Sequence, residues 1–352
     1  MSRYSHFLAV RIGVATLCSL VLCAPVNAGL VTIDNELISA WGVERIGAGY
    51  AHDQDNKGTS VKIGIIDSGI DYTHPELSAN YAGGWDFVNN DDDPRDDYGH
   101  GTLVAGIVGA ADDGQGIVGV APEASLYAYK VIDSVGGGSF SNVIAALDRA
   151  IADGMDVVNM SFGSLGDPGQ ALLDACDRAA AAGILLVAAA GNFGTFDGTG
   201  DNVLYPARYS STIAVAATTD LDERAFFSST GPYLELAAPG YNIYSTDLFG
   251  GYAYESGTSL AAAHVAGAAA LLIYDGIFDV RGRLLATAYD LGPAGFDTLY
   301  GYGLVDVAAA LRPVPIPAPS ALGLALFGVL LVRTKRRSIT HVPPKNSILI
   351  AS

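Results

Sequence analysis

Ser259, His100 and Asp67 are the residues of this chain whose types and settings could do chemistry together. Ser259 lies in Tyr254-Glu255-Ser256-Gly257-Thr258-Ser259, and the run from Leu260 to Tyr274 beyond it is small, apolar and free of proline. That pattern predicts a buried helix with Ser259 at its N-terminus, where unpaired N–H groups and the positive dipole end favour a developing negative charge. Gly257 leaves room for a sharp turn with no side chain in the way. A serine hydroxyl becomes a nucleophile when a base takes its proton and a third group orients that base. His100, in Tyr98-Gly99-His100-Gly101-Thr102, can be the base, and Asp67, in Ile66-Asp67-Ser68-Gly69-Ile70-Asp71, the orienting carboxylate. Each also has a plainer reading: Asp67 alone could be a strand-end turn carboxylate, and Asn192, following Gly191, a turn or capping residue. His264, five residues past Ser259, reads as a packed helix histidine.

The elements that must hold these residues follow from hydrophobic pattern. Val61–Ile66 is a short apolar run ending in Asp67, so the carboxylate stands at the C-terminal end of a buried strand, where open α/β sheets place their chemistry. Further strand-like runs fall at Leu126–Val131, Val157–Met160, Ile184–Ala190 and Ile213–Ala217. Helix-like segments lie between several of them, at Leu103–Val108, Asn142–Ala152 and Ala171–Ala182. Alternating strands and helices predict a three-layer α/β fold with a mainly parallel sheet covered on both faces. Residues 29–58 read as mixed and loop-like. With no internal repeat or linker, 29–312 reads as one domain.

The 352 residues, half of them hydrophobic, suffice for a substantial core, and the net charge of −18 is unevenly spread. Residues 29–312 hold 12 basic against 37 acidic side chains, a net of −25. Such a surface repels nucleic acid and argues against a polynucleotide substrate. Residues 1–28 combine Arg3 and Arg11, the apolar run Ile12–Cys23 and the small-residue site Val26-Asn27-Ala28, the pattern of a secretory signal peptide. Its removal would take Cys18 and Cys23 and leave Cys176 alone, so no intrachain disulfide could form.

The Asp67, His100 and Ser259 motifs, in that chain order, resemble those of the subtilisin-like serine proteases. The similarity continues through Gly119-Val120-Ala121-Pro122, Asp156–Gly163 and Ala190-Gly191-Asn192, covering roughly 41–311. The resemblance implies a subtilisin-like fold and hydrolysis of protein or peptide substrates by a monomeric endopeptidase. It implies that Ser259 attacks, His100 carries the proton, Asp67 orients His100, and Asn192 helps to bind the oxyanion. Gly136-Gly137-Gly138 and Ser161-Phe162-Gly163 match the strands that clamp an extended substrate. Leu204 falls at the floor of the main side-chain pocket, pointing to a shallower apolar pocket. Glu76 and Asp113 match positions that bind calcium in relatives, and Asp91–Asp97 is a candidate second site. Departures include Leu103 for a second histidine, Ala263 for a proline, and Leu260 for a methionine beside the nucleophile. The match also begins close behind Ala28, without the usual propeptide length, so the fold forms unaided or with a helper in trans. The non-enzymatic alternative is a peptide-binding envelope protein of the same fold, against which the intact Asp67, His100, Ser259 and Asn192 argue. An α/β-hydrolase esterase fails because Gly257-Thr258-Ser259-Leu260-Ala261 lacks the second elbow glycine.

From Pro313 the composition changes. A proline-rich spacer, the apolar run Ala321–Val332 and the basic cluster Arg333–Arg337 follow one another. The order resembles an exosortase-type (PEP-CTERM) sorting signal, with Val314-Pro315-Ile316-Pro317-Ala318 as its motif and an exosortase-type processing enzyme as the implied partner. The competing reading is an ordinary C-terminal membrane anchor, for which the apolar run is short. Either way the protein is expected to be exported, to the medium or the cell envelope.

Overall fold

The computed structural model describes residues 35–313. The expected signal peptide, with Cys18 and Cys23, and the expected sorting or anchor segment beyond Pro313 lie outside the described residues. Helices α1 (Asn35–Ser39), α2 (Trp41–Arg45) and α3 (Ala48–His52) lead into strand β1 (Lys62–Asp67). Then come α4 (Pro75–Ser78), β2 (Tyr81–Asp86), α5 (His100–Gly109), β3 (Ser125–Lys130), α6 (Phe140–Asp153) and β4 (Val157–Met160). The chain continues with α7 (Gln170–Ala181), β5 (Leu185–Ala189), β6 (Thr212–Thr218), β7 (Leu236–Pro239), β8 (Ile243–Asp247) and β9 (Gly251–Glu255). Helices α8 (Thr258–Tyr274), α9 (Val280–Thr287) and α10 (Val307–Leu311) complete the described chain.

Strands β1 to β7 form one parallel sheet in the order β2-β3-β1-β4-β5-β6-β7, while β8 and β9 form a separate antiparallel hairpin. Side chains alternate across a strand, so each strand feeds two cores. Ile63 and Ile65 of β1 pack with Val104 of α5 and Val265 of α8, whereas Ile66 packs with Val143 and Leu147 of α6 and Leu172 of α7. The result is the three-layer arrangement expected. A fully buried Ile or Leu contributes about 1.5–3 kcal/mol, which explains how so many alternating apolar positions hold the sheet in register. Cys176 is buried in the second core, and burial pushes its thiol pKa up to about 12, leaving it unreactive.

Strand order reverses at β1: on one side β2 forms the edge and β3 fills the place between it and β1, and the chain then adds β4 to β7 in sequence on the other side. The crevice at the carboxyl ends of β1 and β4 is therefore the topological switch point, the usual ligand position in an open α/β sheet. Asp67 ends β1, and Ser161 directly follows β4.

The five strand-like runs and three helix-like segments found by pattern all occur; Val157–Met160 coincides with β4 and the other ends are shifted by one to three residues. Residues 29–58 are a correction: within them lie α1, α2 and α3, not loop alone. Five residues are too few to display a helical period, and these short helices are stabilised by tertiary packing. Ala48 and Ala51 are fully buried, and a β-carbon added at Gly42 would lie 2.3 Å from Nε2 of His264.

Candidate active site

Asp67, at the end of β1, is fully buried, and its Oδ1 accepts hydrogen bonds from Ser68 N–H (2.7 Å) and from His100 Nδ1 (2.8 Å). A carboxylate only accepts, so Nδ1 carries the hydrogen and Nε2 is left as the basic atom. The second oxygen, Oδ2, is buried without a hydrogen-bond partner, so the carboxylate's charge is best compensated when His100 takes up a proton. His100 opens α5, and α5 must press closely on the loop after β1. A β-carbon at Gly101 would sit 2.1 Å from the Gly69 carbonyl oxygen, so this approach admits only glycine. Burial by itself would lower the His100 pKa. The charge and hydrogen bond of Asp67, with the more distant charges of Asp96 and Glu255, outweigh that effect and raise it above the ordinary value of 6.5.

Ser259 stands in the first turn of α8, as expected, but its hydroxyl donates to the Ser161 carbonyl (2.8 Å) instead of pointing to His100. Ser161 returns the contact, its Oγ donating to the Ser259 carbonyl (2.8 Å) while accepting from Asn159 Nδ2 (2.8 Å). This reciprocal pair ties the end of β4 to the start of α8. Gly257, with φ 172°, is extended, so its value is not a special backbone conformation. It supplies space, because a β-carbon there would lie 3.3 Å from Asn192 Nδ2.

Asn192 is exposed at the cleft and its orientation is determined. Its Oδ1 accepts from Thr258 N–H (3.0 Å) and Thr258 Oγ1 (3.1 Å), while Thr258 Oγ1 accepts from Gly191 N–H (2.9 Å). With the oxygen committed, the Nδ2 hydrogens are the free end of the amide. Thr258 was not singled out by sequence; its role depends on meeting Asn192 across a separation of 66 residues.

Gly136, Gly138, Phe162 and Gly163 line one cavity of about 200 Å³, together with apolar Val131, Ile132, Phe140 and Val143. Gly137 is occupied in its own loop, its N–H donating to Asp133 Oδ1 (2.8 Å). Leu204 is 6% exposed and sits beneath two glycines: β-carbons at Gly163 and Gly191 would meet its side chain at 2.7 and 2.5 Å. A second cavity, of about 450 Å³, is lined by His100, Ser259 and Asn192. His264 lies elsewhere, fully packed in α8 with Nδ1 against the Leu260 carbonyl (2.8 Å), and burial lowers its pKa to about 4.

Glu76 is buried; its Oε1 accepts from the Tyr252 hydroxyl, and Oε2 has no hydrogen-bond partner among the described residues. Burial raises its pKa and the Asp113 charge adds to the effect, while the Tyr252 hydrogen bond opposes it. Glu76 also anchors the following loop, its carbonyl accepting from Ala111 N–H (2.9 Å). Among the described residues no group of three or more His, Cys, Asp or Glu side chains gathers as a metal cluster. In the Asp91–Asp97 stretch three carboxylates already have protein partners. Asp93 accepts from the Tyr72 hydroxyl, Asp96 caps α5, and Asp97 is paired with the buried Lys130.

A mainly parallel sheet flanked by helices is the architecture of a subtilisin-type serine endopeptidase, and sequence comparison gives the same class. The subtilase family profile matches residues 58–303, and the chain belongs to that family. It is 46% identical over 278 residues to subtilisin E of Bacillus subtilis (strain 168), covering 77% of this chain and 71% of that one. Subtilisin DY of Bacillus licheniformis is 45% identical over 277 residues, 77% of this chain and 98% of its own. The minor extracellular protease Epr of Bacillus subtilis (strain 168) is 44% identical over 285 residues, 80% of this chain and 43% of its own.

Proposed function

We propose that this serine endopeptidase works through Ser259, His100 and Asp67, with Asn192 in the oxyanion hole. The observation that carries this reading is the 2.8 Å contact of His100 Nδ1 with the buried Asp67, in a cleft whose opposite wall begins with Ser259. Ser259 Oγ attacks the peptide carbonyl carbon as His100 Nε2 takes the hydroxyl proton. The carbonyl oxygen becomes negative and receives the Ser259 backbone N–H and Asn192 Nδ2. His100 then gives its proton to the leaving amine, the C–N bond breaks, and an acyl-enzyme remains. Water attacks the ester with His100 again as base, releasing the acid and restoring Ser259.

Gly136–Gly138 and Ser161–Gly163 flank the acyl half of the substrate, and the apolar lining between them suits an aliphatic or aromatic side chain. Leu204, filling the space below Gly163 and Gly191, supports a shallow apolar pocket.

A fluorophosphonate should modify Ser259, as read by peptide mass spectrometry, and the modification should vanish in His100→Ala. Folded protein left unlabelled would sink the catalytic reading in favour of a peptide-binding one.

Calcium is the structural ion this reading includes. The buried Glu76 oxygen without a hydrogen-bond partner among the described residues and the nearby Asp113 charge fit a hard cation, which these two carboxylates would hold. Binding there would relieve the cost of burying the Glu76 charge, so excess EDTA should lower the melting temperature; an unchanged melt would remove the site.

Export is supported by the signal pattern at residues 1–28 and by the relative described as extracellular. The segment 313–352 is read as a sorting signal for an exosortase-type enzyme, or a transient membrane anchor. The protein is taken to act as a monomer.

A further inference from the structure

We infer that the leaving-group half of the cleft selects substrates with a lysine or arginine directly after the scissile bond, and that Glu255 is the residue that reads it. The inference rests on the catalytic reading above and names a substrate class for it.

The two cavities of the cleft divide the substrate. On the catalytic reading the smaller one, lined by Gly136, Gly138, Phe162 and Gly163, takes the acyl side. The larger contains His100, and the histidine must hand its proton to the leaving amine. The residue bearing that amine therefore enters the His100 cavity.

The walls of this second cavity are acidic. Asp247 and Glu255 contribute to it, along with Leu103 and Ala253, and no lysine or arginine lines it. The placement of Glu255 follows from strand alternation in β9. Tyr252 and Tyr254 occupy one face and pack against Tyr244 of β8, so Ala253 and Glu255 share the other. Glu255 is exposed; its backbone belongs to the β8–β9 ladder, opposite Ile243, but among the described residues its carboxylate enters no side-chain hydrogen bond or ion pair. It stands four residues before Ser259 and is close enough to His100 to favour its protonated form. Asp247 is at the opposite end of the hairpin, facing Gly251 in register, about 13 Å along the strand. One of its oxygens accepts the Leu248 N–H (2.7 Å), so it is partly committed and adds to the field more than it reads a particular residue.

A cationic side chain entering beside Ser259 meets an unpaired carboxylate at the cleft wall, and an anionic one meets repulsion. The domain's net charge of −25 adds long-range attraction of the same sign. An exposed pair contributes little to stability, but here attraction for one substrate and repulsion for another act on a ratio of rates. Lysine should be favoured over glutamate by about tenfold.

The test is to digest a mixture of denatured proteins with the purified enzyme and sequence the new N-termini by mass spectrometry. Lys and Arg should be enriched over Asp and Glu at the first residue after cleavage by about tenfold, and the bias should shrink as salt is raised. Glu255→Gln should remove most of the bias, and Asp247→Asn less. New N-termini without charge bias, or a bias that Glu255→Gln leaves intact, would overturn the inference while the catalytic reading stands. Absence of any cleavage together with no fluorophosphonate label on Ser259 would overturn both.

Discussion

Two helices begin in the cleft, and their first turns are finished in opposite ways. Helix α5, which carries His100, is closed by a carboxylate. Asp96 Oδ1 accepts from Tyr98 and Gly99 N–H, Oδ2 from Thr102 N–H and Oγ1, and Ser68 Oγ accepts from Gly101 N–H. Helix α8, which carries Ser259, has no side-chain cap on Gly257. Thr258 N–H goes to Asn192, while the Ser259 N–H remains available. The chemistry accounts for the difference. On the proposed mechanism His100 becomes a cation during the reaction, and an open helix N-terminus beside it would oppose that; Asp96 cancels the local positive potential. On the same mechanism Ser259 sits beside a developing anion, which an open N-terminus stabilises. The same backbone device is switched off at His100 and left on at Ser259.

The largest test of this contrast is at α8. Asn192→Ala should lower kcat by about 10²–10³ with a small change in KM, the loss found for the equivalent kind of donor in a subtilisin. A drop confined to KM would mean that Asn192 binds substrate instead of the transition state. At α5 the expected effect is on stability. Asp96→Ala strands four donors near a buried carboxylate position and should cost about 2 kcal/mol or more, measured by denaturant unfolding. If stability were unchanged, α5 would not depend on its cap.

A smaller effect sharpens the electrostatic side. The raised His100 pKa places the acid limb of kcat/KM above the ordinary histidine value of 6.5, because the base must be neutral to act. Glu255→Gln removes one of the anions favouring imidazolium, so the limb should move to lower pH; a shift upward would contradict the assigned field. The smallest expected effect is from peroxide. Leu260 follows the nucleophile, and the described methionines, Met155 and Met160, are both buried. Activity should therefore survive an exposure that oxidises accessible thioethers, and rapid inactivation would show another sensitive residue in the cleft.

Legibility differed between the centre of the fold and its margins. The five inner strands were readable because burial on both faces imposes continuous apolar runs. The edge strands β2 and β7 were not. Tyr81–Asp86 is mostly half-buried and contains Gly83-Gly84, and Leu236–Pro239 is four residues long and ends in proline. The β8–β9 hairpin was also invisible, since Ser245, Thr246 and Asp247 resemble a polar loop until paired with β9. Its absence from the sequence reading hid Glu255 and Asp247 as residues of the cleft.

What the sequence determined by itself is the inventory of chemistry and its chain order: a carboxylate ending a strand, a histidine opening one helix and a serine opening another. These are local statements, made by hydrophobic period and by small residues next to reactive ones. Tertiary structure alone decided which partners those groups have. The orientation of Asn192 by Thr258, the hold of Ser161 on the Ser259 hydroxyl and the closure of α5 by Asp96 depend on contacts a few ångströms long. So does the orphaned oxygen of Glu76. Hydrogen bonds and buried charges are short-ranged in space but join residues far apart in the chain, and no spacing along the sequence encodes that distance.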